Sequence, residues 1–230
     1  MNRIKESIKG NVVAVCAHPD DLEGPAGTLF LLRKHYNIHV IDFTHGELGL
    51  GMEGLKDGTT ARIRTREEKI ACKKLGATLH FLDEIDGFAY ASRESCEKIA
   101  ALFRRLKPRA VFLHWPLDVK KDHIMSSAAG MKAVGLAGIN PEIYYFSEPN
   151  QSKNFIPSHY VDITSVQDLK VDLQQTYVCQ CPEELIPEKS AENAEFGRRM
   201  NPSVPYAEAF AAFCPSCPAG PNIFMDLSVR

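Results

Sequence analysis

Short apolar segments alternate with amphipathic segments along most of the chain. The apolar segments predict buried strands over 12–17, 38–43, 78–82, 110–115, 143–146 and 160–163. The amphipathic segments predict helices over 24–32, 60–76, 92–106, 124–136, 166–177 and 191–199. This alternation is typical of a doubly wound α/β domain with a mostly parallel sheet. We therefore expect one domain over 1–230, with a core over about 10–213 and an irregular C-terminal tail.

The composition excludes several classes of protein. The formal net charge is −2, which leaves no basic surface for nucleic acid or an anionic membrane. The first ten residues contain no apolar run typical of a signal peptide, and no later stretch is long enough to span a bilayer. These observations predict a cytoplasmic protein that binds neither nucleic acid nor a membrane.

Polar residues follow the first predicted strand directly. His18, Pro19, Asp20, Asp21 and Glu23 would lie at the carboxyl end of that strand, where parallel sheets bind their ligands. Buried polar groups need partners, and a cation is a suitable one. His18 and Asp21 are spaced to bind one metal ion, which would leave Asp20 free to act on a water. Alternatively, these carboxylates only cap the N-terminus of the next helix.

A second strand end supplies compatible groups. His123 follows the strand over 110–115 and, with His18 and Asp21, would form a site of two imidazoles and one carboxylate. Three protein ligands leave a position open for water, as catalytic zinc requires, although the same ligands also suit iron. Asp122 would orient a ligand histidine, unless it only caps the helix that follows.

Seven scattered cysteines, an odd number, do not fit a disulfide framework. Four of them form a C-x-C and a C-x-x-C pair, which could bind a second, structural zinc ion: Cys179, Cys181, Cys214 and Cys217. A C-x-C pair is the less common half-site, and nothing in the sequence shows that the two pairs meet. The second zinc site therefore remains an alternative.

Several sequence motifs follow one another along the chain. The first is A-H-P-D-D-L-E-G-P-A-G-T-L from Ala17, followed by T-H-G-E-L-G from Thr44. They are followed in order by an R-x-x-E-x-x-x-A pattern from Arg64, W-P-L-D-V-K-K-D-H over 115–123 and P-Y-A-E-A-F over 205–210. Together these motifs resemble the PIG-L (LmbE-like) family of zinc-dependent N-acetylglucosaminyl deacetylases. The resemblance implies a Rossmann-like, three-layer fold with a mostly parallel sheet.

The resemblance also implies roles for individual residues. The metal ligands would be His18, Asp21 and His123, the catalytic residues Asp20 as general base and Lys120, and the substrate-binding residues Arg64, Tyr206 and Glu208. The implied cofactor is Zn²⁺, with iron as an alternative. The implied reaction is hydrolysis of the acetamide of an N-acetylglucosamine-type substrate by a zinc-bound water. The partner would be a small acetylated amino sugar, and the resemblance allows a homo-oligomer.

Two positions depart from the family pattern, and both are expected on the substrate side. Lys120 stands where many relatives have a histidine, and a lysine stabilises negative charge but is a poor acid at neutral pH. Tyr177 stands where relatives often begin a His-x-Ser-Gln stretch. These departures keep two alternatives open, a deacetylase of a non-sugar acylated amine and a metal-binding relative without activity. A dinucleotide-binding protein is excluded, because no G-x-G-x-x-G follows the first strand.

Overall fold

A seven-stranded sheet forms the centre of the computed structural model, which describes residues 8–50, 58–213 and 222–227. The strands are β1 (Asn11–Cys16), β2 (Asn37–Thr44), β3 (Thr78–Glu84), β4 (Ala110–His114), β5 (Glu142–Phe146), β6 (His159–Asp162) and β7 (Ala207–Ala212). Their order is β3-β2-β1-β4-β5-β7-β6. Strands β1 to β5 pair in parallel, and β7 pairs antiparallel with β5 and β6.

Within the described residues, six α-helices connect and cover these strands. They are α1 (Ala26–Leu32), α2 (Thr59–Leu75), α3 (Arg93–Leu106), α4 (Lys121–Ala137), α5 (Gln167–Gln174) and α6 (Pro182–Met200). The strand order reverses between β1 and β4, since β2 lies on one side of β1 and β4 on the other. The carboxyl ends of β1 and β4 therefore border the crevice in which open α/β sheets bind ligands. Within the described residues no helix combines the length and apolarity needed to cross a membrane.

Strand β1 is buried on both faces, and its alternating side chains separate two cores. Val12 and Ala14 pack with residues of α1, α2 and α5, whereas Val13 and Val15 pack with residues of α3 and α4. A central parallel strand covered by helices on both faces is expected to be continuously apolar, as this one is. The predicted doubly wound, three-layer α/β fold is thus confirmed.

Two elements differ from the sequence prediction, and both lie after Gln180. Helix α6 begins at Pro182, well before the predicted 191–199, because the first half of the helix has weak apolar periodicity and contains Pro187 in its interior. Strand β7 consists mostly of alanine, which carries no β-strand signal. The structure thus has a long helix and a strand within 182–212, where the sequence predicted only a helix over 191–199. Residues 51–57, which precede α2, lie outside the described part of the chain.

A buried carboxylate joins strand β7 to two helices. Glu208 accepts hydrogen bonds of 2.8 Å from the backbone N–H groups of Gly27 and Thr28, in the first turn of α1. The Lys170 ammonium on α5 donates to the same carboxylate at 2.7 Å, and both side chains are 3% exposed. The first N–H groups of a helix lack partners within the helix, and a negative charge stabilises them. Glu208 is therefore placed to hold three elements together.

The Glu208→Ala variant should be strongly destabilised, because it leaves the Lys170 ammonium buried without a counter-charge. We expect the free energy of unfolding to fall by about 3–5 kcal/mol, measured by urea denaturation. Glu195→Ala is the control: Glu195 pairs with Arg198 and Arg199 on an exposed face of α6, so its loss should leave the unfolding midpoint unchanged. Equal effects of the two substitutions would contradict a stabilising role for the buried pair.

Candidate active site

A cavity of about 550 Å³ lies at the carboxyl ends of the central strands. Charged and imidazole side chains line it, and they come from the turn after β1, from the segments after β3, β4 and β5, and from helices α2, α4 and α6. These residues are His18, Asp20, Asp21, Glu23, Arg64, Asp86, Lys120, Lys121, Asp122, His123, Glu148, Glu188 and Lys189. The predicted site residues line this cavity, with the exception of Tyr206 and Glu208. The topology thus brings residues more than a hundred positions apart into one site.

His18, Asp21 and His123 converge in this cavity. One donor atom of each residue lies within 4.8 Å of the donor atoms of the other two. Asp21 Oδ2 is 3.5 Å from His18 Nδ1, and Asp21 Oδ1 is 3.4 Å from His123 Nε2. The three residues are buried. Two imidazoles and a carboxylate are a donor set that catalytic zinc sites use, so the residues present fit a divalent metal ion.

The backbone of the turn after β1 fixes the Asp21 carboxylate. Asp21 Oδ2 accepts hydrogen bonds from the backbone N–H groups of Ala17 (2.9 Å) and His18 (2.8 Å). The same oxygen lies 2.9 Å from Nε2 of His114, whose ring stacks on the His123 ring at 4.1 Å. Burial by itself would raise the pKa of Asp21, but His123, His114 and His18 hold that pKa well below its usual range. Asp21 is therefore ionised.

The pKa values of His114 and His123 are shifted in opposite directions. Burial lowers the pKa of His114 to about 4, so His114 is neutral at pH 7. Burial opposes the charged form of His123 as well, but Asp21 and Asp118 raise its pKa to about 9. His114 is thus a packed and hydrogen-bonded residue.

Further carboxylates lie beside the opposite nitrogens of the two candidate ligand histidines. His18 Nε2 is 3.2 Å from Asp86 Oδ1 and 3.4 Å from Asp122 Oδ2, and His123 Nδ1 is 3.3 Å from Asp118 Oδ1. Carboxylates in this position commonly fix the orientation of a ligand imidazole. Asp122 was considered for such a role from the sequence, whereas Asp86 and Asp118 were not. The acidic run D-E-I-D-G over 83–87, which begins in the last two residues of β3, was the available signal for Asp86.

Asp20 lies in the cavity beside this cluster and is not part of it. Its Oδ1 accepts a hydrogen bond of 2.6 Å from Arg64 Nη2, which also donates to the carbonyl of Pro19. The φ angle of Asp20 is 109°, a strained conformation that costs about 1–3 kcal/mol and is typical of functional sites. Burial raises the pKa of the Asp20 carboxyl to about 6, against the opposing effect of Arg64.

The T-H-G-E-L-G motif provides space for the Arg64 guanidinium. A Cβ atom at Gly46 would lie 2.7 Å from the guanidinium carbon, and one at Gly49 would lie 2.5 Å from Nη1. Gly46 also has a φ of +68°, which favours glycine. The two glycines of the motif are therefore needed to admit the side chain that binds Asp20.

The structure places two of the predicted substrate-binding residues away from the cavity. Glu208 is committed to helix α1 and Lys170, as described above. Tyr206 packs against the core on the α1 side of the sheet, and its backbone pairs with Ile163 and Thr164. Neither is among the residues that line the cavity. The sequence motif that contains them is thus explained by packing of β7.

The two departures from the family pattern lie in different surroundings. Lys120 lines the cavity and is exposed, and within residues 8–50, 58–213 and 222–227 no carboxylate forms an ion pair with it. Tyr177 is 3% exposed, does not line the cavity, and donates a hydrogen bond of 2.8 Å to Glu68. The expectation that both positions face the substrate is therefore wrong for Tyr177, because its hydroxyl is directed into the protein interior.

The predicted second zinc site is only partly within the described residues. Cys179 Sγ donates a hydrogen bond to Glu67 Oε2 at 2.9 Å, and Cys181 is exposed at the start of α6. Cys214 and Cys217 lie outside the described part of the chain. The second site stays a prediction.

Comparison with known proteins shows which family and which relatives this chain is similar to. The family model described as PIG-L, GlcNAc-PI de-N-acetylase, matches residues 13–134. The 4-oxalmesaconate hydratase of Pseudomonas putida is 30% identical over 181 residues, which is 70% of this chain and 70% of that protein. The diacetylchitobiose deacetylase of Thermococcus kodakarensis is 28% identical over 194 residues, 76% of this chain and 71% of that protein. The solved structure of the conserved protein TT1542 from Thermus thermophilus matches with a TM-score of 0.76 at 26% identity, covering 91% of this chain and 97% of that one.

Replacement of Asp21 by alanine should abolish stable metal binding, because it removes the carboxylate between the two imidazoles. We expect wild type to retain about one zinc ion per chain after dialysis and Asp21→Ala to retain almost none, measured by elemental mass spectrometry. Asp20→Asn is the matched control, since Asp20 lies outside the cluster and its replacement should leave the zinc content unchanged. A comparable loss of zinc in Asp20→Asn would instead place Asp20 among the ligands.

Proposed function

Because the chain belongs to the PIG-L family, we propose that it is a metal-dependent hydrolase that removes the acetyl group from an N-acetylglucosamine-type substrate. The observation that carries this proposal is the Asp20 carboxylate, which lies in the cavity beside the His18, Asp21 and His123 cluster without belonging to it. A metal site that served only to stabilise the fold would not need a carboxylate beside it that is not a ligand. Hydrolysis uses such a group, because a proton must leave the attacking water.

The metal would be held by His18, Asp21 and His123. Their donor set suits zinc, with iron as the alternative. Bound there, zinc would lower the pKa of a coordinated water and polarise the substrate carbonyl. Asp86, Asp118 and Asp122 would keep the two imidazoles oriented.

Asp20 is the proposed general base. Its carboxylate would accept the proton of the attacking water and return that proton to the amide nitrogen as the C–N bond breaks, so that acetate and a free amine are released. Arg64 would hold the Asp20 carboxylate in place, since its guanidinium remains protonated and already donates to that group. Arg64 also lines the cavity, which keeps it a candidate for substrate binding.

Lys120 is the proposed second catalytic residue. Its side chain lines the cavity, and it has no carboxylate partner within the described residues. An ammonium group in this position would stabilise the negative charge that develops on the carbonyl oxygen during attack. Lys120→Ala should therefore lower kcat more than it changes KM, because the charge is present only in the transition state.

The cavity and the relatives support a small amino sugar as the substrate. A volume of about 550 Å³ is within the range of small-molecule sites. The Thermococcus kodakarensis relative is a diacetylchitobiose deacetylase, so a member of the same family acts on an acetylated amino sugar. A non-sugar acylated amine remains the alternative substrate of the same reaction.

The release of primary amine from a panel of N-acetylglucosamine derivatives tests the proposal. We expect activity in the zinc-loaded wild type, and a decrease in kcat of about 10²–10⁴-fold in Asp20→Asn with the zinc content retained. Removal of zinc by a chelator should abolish the activity, and added zinc should restore it. Glu195→Ala serves as the control and should retain full activity. An inactive wild type with a full complement of zinc would contradict the proposal.

A hydratase is the second candidate, favoured by one specific observation. The relative with 30% identity is a 4-oxalmesaconate hydratase, which adds water to a substrate whose name indicates a carboxylate. Lys120 and Lys121 line the cavity and would suit such an anionic substrate. Activation of water beside the same metal ligands serves either reaction.

Hydration of an unsaturated dicarboxylate or tricarboxylate separates the two candidates. Loss of the conjugated double bond would be measured as a decrease in ultraviolet absorbance. The measurement would use the same protein preparation as the amine-release experiment. We expect no change in absorbance if the chain is a deacetylase. Rapid loss of absorbance together with no amine release would assign it as a hydratase.

A further inference from the structure

A buried cluster of hydrogen-bonded side chains lies behind Asp20 and outside the cavity. Its centre is Glu68 on helix α2, whose side chain is completely buried and is not part of the cavity lining. Glu68 Oε2 accepts a hydrogen bond of 2.8 Å from the Tyr177 hydroxyl and one of 3.3 Å from the backbone N–H of Asp20. The Cys72 thiol donates to Glu68 Oε1 at 3.4 Å. Three donors from separate parts of the chain thus meet at one carboxyl group.

The hydrogen bond from the Asp20 backbone to Glu68 stabilises a residue in a strained conformation. With a φ of 109°, its backbone N–H is directed into the protein rather than toward solvent or a helical partner. A buried N–H group needs an acceptor, and Glu68 supplies it. Arg64 holds the same residue from the other side, through the Asp20 carboxylate and the carbonyl of Pro19. The strained residue is therefore held at its amide by Glu68 and at its carboxylate by Arg64.

Tyr177 in turn directs the Glu68 carboxyl group. Its hydrogen bond to Oε2 is the shortest that Glu68 makes, and Tyr177 is itself 3% exposed in the segment that follows α5. Removal of the hydroxyl would leave Oε2 with only the longer bond from Asp20, and the buried carboxyl group would be free to turn toward other donors. The position of the Asp20 backbone therefore depends on a hydroxyl that touches neither the cavity nor the candidate ligands.

We propose that Glu68 and Tyr177 are positioning residues, which hold the backbone of Asp20 in the conformation that directs its carboxylate into the cavity. The proposal rests on the proposed function of Asp20 as general base. It accounts for the tyrosine at position 177, where the substrate-side role expected from the sequence is excluded by burial. It also accounts for a fully buried glutamate on the helix that contributes Ala71 and Leu75 to the core.

The first test compares kinetic constants of two tyrosine variants. Tyr177→Phe removes only the hydroxyl, and we expect kcat to fall about tenfold with KM and zinc content unchanged. Tyr36→Phe is the matched control, since Tyr36 is also buried and donates its hydroxyl to a carboxylate, Asp226, far from the cavity. It should leave kcat unchanged. Equal kcat values in the two variants would overturn the proposal.

Substitutions of Glu68 separate positioning from packing. Glu68→Gln keeps an oxygen that can accept from Asp20, so it should retain kcat within about threefold of wild type. Glu68→Leu keeps the volume but removes the acceptor, and we expect a decrease in kcat of about a hundredfold with zinc still bound. Equal activity of the Gln and Leu variants would show that Glu68 only fills space, which contradicts the proposal.

A measurement without substrate distinguishes failure of this proposal from failure of the proposed function. Amide hydrogen exchange at Asp20, followed by NMR in zinc-loaded protein, should be about tenfold faster in Tyr177→Phe and in Glu68→Leu than in wild type. In Tyr36→Phe it should be unchanged. Unchanged exchange at Asp20 in all variants would overturn the positioning role, whether or not the wild type releases amine. Faster exchange with an inactive wild type would retain the positioning role and reject the deacetylase.

Discussion

The buried Asp21 carboxylate is the group on which the arrangement of the candidate active site depends. Two backbone N–H groups of the preceding turn donate to it, and three imidazoles surround it. A carboxylate at 6% exposure is stable in its ionised form only because these partners replace water. The same contacts determine where the chain turns after β1, how the rings of His18 and His123 approach each other, and on which side Asp20 remains. The turn and the chemistry of the site are therefore consequences of one electrostatic requirement.

The sheet topology explains why these groups meet. Asp21 follows β1 and His123 follows β4, and these strands are neighbours at the point where the strand order reverses. Helices leave this edge on opposite faces of the sheet, so a crevice opens between them. Polar residues gather there because residues 12–16 of β1 and 110–113 of β4 are buried and apolar.

Much of the fold and the central part of the site could be predicted from the sequence, for identifiable reasons. Strands buried on both faces have continuous apolar runs, and the polar residues that end them are conspicuous. Strand β7 was not predicted, because alanine has a low preference for strands. The start of α6 was not predicted, because Pro187 interrupts the helical pattern of the sequence. The surroundings of the Glu208 and Tyr177 side chains could not be predicted. A motif identifies a residue, but it does not identify the neighbours that contact the residue from other elements.

The strained turn at Asp20 shows a related limit. Its φ angle has no sequence signal, since the conformation is imposed by Arg64 and Glu68 from helix α2. Helix α2 thus has two functions at once. Its apolar side contributes Ala71 and Leu75 to the core, while Arg64 in its first half and Glu68 at its middle reach the turn. The apolar periodicity of the sequence indicates only the packing of this helix against the core.

The cavity draws its walls from two separate parts of the chain. The candidate ligands and base all lie between residues 18 and 123, whereas one wall is formed by Glu148 and by helix α6, whose Lys189 forms ion pairs with Glu148 and Glu23. Changes in helix α6 can therefore reshape the cavity without replacing the candidate ligands or Asp20. Such a division makes the fold readily evolvable, because natural selection can retain the candidate ligands and exchange the residues of one wall, on which the shape of the cavity depends.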